Sequence, residues 1–242
     1  MNKMMKLGVA ALALAVAVPA FADEDEDEAI IRAQHGGAVG YTAVSFALAS
    51  PVALPWGIGR WDVFGLDLGI LYADVVKMYG IGIGGLASTT RGDMIGLDVG
   101  GLFNYTDKDV YGIRATLGAE ICNGTVYGLD AGGFGYHRKV VGADIELVGT
   151  MQEEIVGFEA SVVGNLTDKE SCGLVIAGGI NLARVSYGCQ IAGIFNQTEE
   201  LHGCQIGLVN MARECPWGFQ IGLINIIMDN KLKVLPIVNA YF

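Results

Sequence analysis

The chain has 242 residues, enough for one large domain with a substantial core, and 36 of them are Gly against only 5 Pro. With 52% hydrophobic residues it is too apolar for a disordered chain, and its glycines follow no Gly-X-Y period, which excludes collagen. A net charge of −11 argues against nucleic acid as a partner, and beyond the N-terminus no apolar run approaches the roughly 18 residues of a membrane helix.

The N-terminal segment reads as an address. Met1 to Ala22 has a short basic start (Lys3, Lys6), an apolar run from Leu7 to Val18, and Pro19-Ala20-Phe21-Ala22, a small-x-small cleavage pattern. Residues 1–22 are therefore expected to be a signal peptide and the chain to be exported. Asp23-Glu24-Asp25-Glu26-Asp27-Glu28 follows, a run of like charges that repels itself and stays solvated. It has no Gly to fold carboxylates around a Ca²⁺ ion, so residues 23–36 read as an acidic flexible leader. Residues 37–242 form a single repeat-built β domain, with a first strand near Val39–Leu48.

From residue 63 onward one unit recurs. An aromatic or apolar residue followed by Gly stands at Phe64-Gly65, Tyr79-Gly80, Ile95-Gly96, Tyr111-Gly112, Tyr127-Gly128 and Val141-Gly142. It continues at Val156-Gly157, Cys172-Gly173, Tyr187-Gly188, His202-Gly203 and Trp217-Gly218, with Gly-to-Gly spacings of 14 to 16 residues. Each unit opens with strict alternation, as in Ile95-Gly96-Leu97-Asp98-Val99-Gly100, so each holds a β-strand with one apolar and one small-polar face. Short polar turns such as Thr106-Asp107-Lys108-Asp109 separate the units.

Chain reach limits how these strands connect. A strand of about ten residues is about 33 Å long, and a five-residue link spans at most about 18 Å, so it cannot return to the start of its own strand. The next strand then runs antiparallel, unless each unit bends at Gly84-Gly85, Gly100-Gly101, Gly132-Gly133 or Gly178-Gly179 and becomes one coil of a solenoid. Two residues after the anchor Gly, odd-numbered units carry Asp67, Asp98, Asp130, Glu159, Gln190 and Gln220, whereas even-numbered units are mixed. That two-unit rhythm favours antiparallel strands. The expected fold is all-β, an antiparallel up-and-down β-barrel of about 12–14 strands of the outer-membrane type, with a β-solenoid of 15–16-residue coils as the alternative. The cysteines separate the two: a solenoid stacks Cys189 on Cys204 within disulfide reach, while an antiparallel meander places them near opposite strand ends.

In the barrel reading the six polar residues form a row in the lumen, and Tyr79, Tyr111, Tyr127, Tyr187 and Trp217 join aromatic belts. The final segment, Lys233 to Phe242, is an apolar strand closing on Tyr241 and Phe242, which looks like the sorting signal of outer-membrane barrels. The implied partners are the outer-membrane lipid bilayer and the barrel-assembly machinery. Two features resist: the strands number thirteen where bacterial barrels use even numbers, and every turn after residue 63 is short.

Gly203-Cys204-Gln205-Ile206-Gly207-Leu208-Val209-Asn210 and Gly218-Phe219-Gln220-Ile221-Gly222-Leu223-Ile224-Asn225 resemble the G-x-Q-x-G-x-x-N unit of bacterial exported surface-repeat proteins, followed there by a segment like Leu235-Pro236-Ile237-Val238-Asn239. The unit at Gly188 keeps Gln190 but has Ala192 for the second Gly and shifts its Asn to Asn196. The resemblance implies a cell-envelope location and no biochemical activity.

No catalytic constellation stands out. The three histidines are His35, His137 and His202, and no Gly-x-Ser-x-Gly elbow accompanies them. Gly80-Ile81-Gly82-Ile83-Gly84-Gly85 lacks the helix a dinucleotide loop needs, and Arg91-Gly92-Asp93 reads as turn chemistry. The five cysteines show no Cys-x-x-Cys spacing. The expectation is a non-enzymatic protein without cofactor or metal, at the outer membrane or cell surface of a Gram-negative-type bacterium. It is either a structural or pore-like barrel or a surface-displayed repeat module for binding or adhesion.

Overall fold

The computed structural model describes residues 40–49, 52–54 and 61–241. The expected signal peptide (1–22), the acidic leader (23–36), His35 and Phe242 lie outside the described residues. The described residues contain strands and no helix.

The strands are parallel, and each repeat is one coil. β3 (Trp61–Val75) shows the construction: its first half pairs in parallel with β4 (Lys77–Gly84) and its second half with β5 (Ala87–Thr90). One coil thus contributes a strand to each of two faces. β4 continues to β6 (Met94–Gly100) and then β8 (Val110–Thr116) on the first face, and β5 continues to β7 (Phe103–Thr106) on the second. Both paths meet β9 (Ala119–Ser161), which holds the anchors Gly128, Gly142 and Gly157 and so winds through successive coils. β10 (Gly164–Ala177), β11 (Ile180–Ala192), β12 (Phe195–Ile206) and β13 (Val209–Ile227) each add a coil in parallel register. Antiparallel pairing occurs only toward the ends among the described residues. There β14 (Val234–Ala240) closes against β13, and β2 (Val52–Leu54) pairs with β1 (Gly40–Ala49), itself parallel to β3.

The all-β expectation therefore holds, and the antiparallel barrel is corrected to the β-solenoid. The reach argument assumed one straight strand per unit. The chain instead turns at the paired glycines: Gly85 N–H donates to Gly69 O at 2.7 Å and Leu102 N–H to Leu86 O at 2.8 Å, coil to coil. Across the bend from Gly100 to Asn104 the interior residues keep the same parity although Leu102 between them is exposed, so the two strands of a coil read as one alternating run. Cys189 and Cys204 are bridged, their Cα atoms 4.7 Å apart in neighbouring coils.

The anchor glycines fall into one column, Gly65 on Gly80 on Gly96 on Gly112 on Gly128, all at φ between +128° and +151°. A Cβ at Gly112 would lie 2.0 Å from Gly96 O, and one at Gly96 the same distance from Gly80 O. Only Gly fits both the backbone and the close approach.

Inside each coil are the residues of the small-polar face. An apolar column (Val63, Met78, Met94, Val110, Val126, Val140, Ile155) is buried two places before the anchors, and a smaller apolar cluster (Leu201, Ala212, Cys215, Ile227) lies in the C-terminal coils. Opposite the column the C-terminal coils hold an Asn ladder. Asn165 Nδ2 donates to Asn181 Oδ1 and Asn181 to Asn196 at 3.0 Å each, then Asn196 to Asn210 and Asn210 to Asn225 at 2.8 Å each. The same Nδ2 groups donate to main-chain oxygens at the end of the next first-face strand, Asn181 to Ile191 O and Asn196 to Ile206 O at 2.9 Å. Gln220 donates to Gln205 at 2.8 Å and Gln205 to Gln190 at 3.0 Å. The G-x-Q-x-G-x-x-N unit is thus a positive-φ anchor, a ladder rung, a small interior residue at the bend, and an amide tying the two faces together.

Candidate functional site

With the polar residues inside, the apolar ones face outward. The coil from Ile95 shows the order around the perimeter. Ile95, Leu97 and Val99 are exposed on the first face, Gly100-Gly101 makes the bend, and Leu102 stands exposed at the edge. Phe103 and Tyr105 are half-buried on the second face, and Asp107-Lys108-Asp109 forms the return corner before Tyr111 begins the next coil. Register repeats this order, so Ile81, Leu97 and Ile113 stack in one outward column and Ile83 with Val99 in another. The residues before the anchors make a third column. Phe64 stacks on Tyr79 (4.6 Å between ring centroids), Tyr111 on Tyr127 (4.9 Å) and Tyr187 on His202 (4.6 Å).

Beside these rings lies the corner that carries the surface ion pairs. Lys77 meets Asp93 (3.8 Å), Lys139 meets Glu154 (2.9 Å), Lys169 meets Glu153 (2.9 Å) and His202 Nε2 lies 2.7 Å from Glu200. The perimeter therefore runs from charges through aromatic rings to an aliphatic sheet. With eleven anchored coils at about 4.8 Å spacing, the apolar face measures roughly 50 Å by 20 Å. That exceeds the few hundred Å² of contiguous apolar surface that soluble monomers ordinarily show. A concavity of about 460 Å³ indents it, lined by Val99, Ala115, Ala131, Gly132, Ile145 and Glu146.

Beneath that concavity is a buried charged cluster. Arg114 donates from Nε to Asp130 Oδ1 at 3.1 Å, donates to Ile121 O at 3.2 Å, and lies 3.2 Å from Glu120 Oε2 without hydrogen-bond alignment. His137 Nε2 is 3.4 Å from Asp130 and 3.7 Å from Asp144, and Nδ1 is 3.4 Å from Arg114 Nη2. Arg114, Glu120, Asp130, His137, Asp144 and Glu146 are all at most 2% exposed. Burial pushes the Glu120, Asp144 and Glu146 carboxyls well above the usual carboxylate range, the Asp130 charge adding to the effect. Against the cost of its own burial, Asp130 is held below that range by Arg114. Burial pushes the His137 imidazole down to about 4. One ligand atom from each of His137, Asp144 and Glu146 falls within 4.8 Å of the others.

No protein-family model, curated protein or solved structure matches this chain.

The row expected from the sequence is brought together, in a packed interior. Asp67, Asp98, Asp130, Glu159, Gln190 and Gln220 are at most 4% exposed and lie in the column two places after the anchors. The intervening coils contribute to the same column, so Asp67 faces Gly82, Gly82 faces Asp98, and Asp98 faces Arg114. The two-unit rhythm does not report strand direction: Gly82 and Arg114 separate Asp67, Asp98 and Asp130, whereas beyond Asp130 the column runs directly through Asp144 to Glu159. Tyr241 is 55% exposed just beyond β14. Arg91 of the Arg-Gly-Asp turn is engaged, its Nε 3.0 Å from Asp74 Oδ1. Glu120, His137 and Glu146 were not among the residues singled out for a joint site. They stand on different coils at unlike positions in the repeat, and only parallel stacking joins them.

Proposed function

We propose that this protein is a non-catalytic, exported repeat module of the bacterial cell envelope that lies on a lipid surface by its apolar first face. The observation that carries this reading is the perimeter order: charged corner, aromatic column, aliphatic sheet. Amphipathic rings between a charged and an aliphatic zone are what a membrane interface selects. Parallel pairing supports it further, because main-chain groups of the first face are bonded coil to coil and need no water there. A pore is not part of this reading, since the residues assigned to a lumen are packed side chains in the solenoid interior. The expected export signal and the resemblance to surface-repeat proteins fit an envelope location.

Flotation tests it. The full chain is expected to float with vesicles of phosphatidylethanolamine and phosphatidylglycerol, and the double substitution Leu97→Asp, Ile113→Asp is expected to abolish flotation while the far-ultraviolet spectrum stays β-rich. Wild-type protein that stays at the bottom of the gradient overturns the reading. So does a lipid-free dimer that the same two substitutions dissociate, because the face would then be a contact between copies.

A further inference from the structure

We propose that His137, Asp144 and Glu146 form a buried site for one divalent transition-metal ion, for which Zn²⁺ is the natural probe. The inference is independent of what covers the apolar face. One imidazole with two carboxylates is a borderline donor set of the kind zinc accepts, and its mutual spacing within 4.8 Å places the three atoms around a common point. An ion at the centre of such a triangle would be at most about 2.8 Å from each atom, a small side-chain adjustment from the roughly 2.1 Å of Zn–N and Zn–O bonds.

Three further observations point to a ligand. The donors are poorly satisfied: His137 Nε2 and both carboxylate oxygens of Asp144 and of Glu146 are buried without an aligned hydrogen-bond partner, the Asp144 and Glu146 carboxyls facing each other. Native interiors seldom leave such atoms without a partner. Next, the space beside them is kept clear by two interior glycines in the coil between Glu120 and Glu146. A Cβ at Gly135 would stand 2.5 Å from His137 Nε2 and 3.1 Å from Glu146 Oε1, and one at Gly132 would stand 3.0 Å from Glu146 Oε2. That coil is also the shortest repeat, with 14 residues from Gly128 to Gly142. Gly135 falls in the column that Ser88, Asn104 and Glu120 occupy before it and Asn165 after it, and it has no side chain to contribute there.

The third observation is charge. Glu120, Asp130, Asp144 and Glu146 face one guanidinium, Arg114, which is engaged with Asp130, the Ile121 carbonyl and Glu120. A divalent cation would offset the charge that Asp144 and Glu146 carry when they ligate as carboxylates. Arg114 Nη2 lies 3.4 Å from His137 Nδ1, and since a guanidinium only donates, ligation through Nε2 moves the imidazole proton to Nδ1 and gives up that long contact. The surface concavity is lined in part by Gly132 and Glu146, so the site lies directly beneath it.

The test is to refold the full chain from guanidinium with Zn²⁺, desalt it, and measure retained metal by mass spectrometry. The expected result is one Zn²⁺ per chain, with Co²⁺ in its place giving visible ligand-field bands and no thiolate charge-transfer band, since no Cys is among the ligands. His137→Gln and Glu146→Gln are each expected to weaken retention at least tenfold, on the scale of losing one ligand. No retained metal, retention unchanged in Glu146→Gln, or a thiolate band in the Co²⁺ form would overturn the proposal. If either variant fails to fold, the stoichiometry and Co²⁺ spectrum of the wild type still decide it.

Discussion

At the scale of single residues, the solenoid depends on positions where one atom too many cannot be placed. Gly112 has φ of +139°, and a Cβ there would lie 2.0 Å from Gly96 O. Gly112→Ala is expected to destabilise the coil stack by at least about 3 kcal/mol in urea unfolding, through strained backbone and a separated strand pair. A change below about 1 kcal/mol would mean that the anchor column does not stack. Asp67 behaves oppositely to most structural carboxylates. Burial, opposed by the Ser45 hydroxyl and reinforced by Asp98, raises its carboxyl to about 6 from the ordinary 3.8. The folded state therefore binds the extra proton, and stability is highest below about pH 4 for this group and falls as pH climbs toward 6. Asp67→Asn removes that slope. Relative to wild type it should gain on the order of 2–3 kcal/mol between pH 3.5 and pH 7.5, and an unchanged difference would contradict the buried placement.

At the scale of elements, much was legible and one inference failed for an identifiable reason. The unit length, the anchor glycines, the alternation and the polar identity of one face all came from spacing. The direction of the strands did not, because the bend at Gly84-Gly85 or Gly100-Gly101 keeps the interior residues in the same parity on both sides, and only an exposed Leu86 or Leu102 interrupts the two-residue period. The Asn positions, by contrast, carried more than they revealed. Asn196 sits eight residues after its anchor and Asn210 seven, yet they are register partners, since the turn before each absorbs the difference. Asn196 accepts from Asn181 and donates to both Asn210 and Ile206 O. Asn196→Ala thus strips hydrogen bonds from a buried ladder and is expected to cost about 2–4 kcal/mol, more than Asn→Ala at an exposed site. Equal losses at both would indicate that the amides face water.

At the scale of the whole repeat domain, residues 40–241, the arrangement inverts the usual partition, with amide and carboxyl side chains inside and aliphatic and aromatic ones outside. The strand length makes this workable. Parallel stacking lets identical amides bond along a column, which a water-facing surface would not reward. The C-terminal end is closed by β14, whose Pro236 lacks an N–H and so blunts the outer edge against further pairing. The sequence showed the two faces, but a barrel in lipid and this solenoid both turn the polar one inward, so the alternation could not separate the two folds. The charged cluster was likewise hidden, since Glu120, His137 and Glu146 meet only after the coils are stacked. The disulfide distinguishes the two folds at once. Peptide mapping of the folded, unreduced chain after exposure to oxidised glutathione should find Cys189 joined to Cys204, with Cys122, Cys172 and Cys215 as free thiols. Cys189 joined to any other cysteine, or no Cys189–Cys204 bridge under oxidising conditions, would contradict the parallel coil stack.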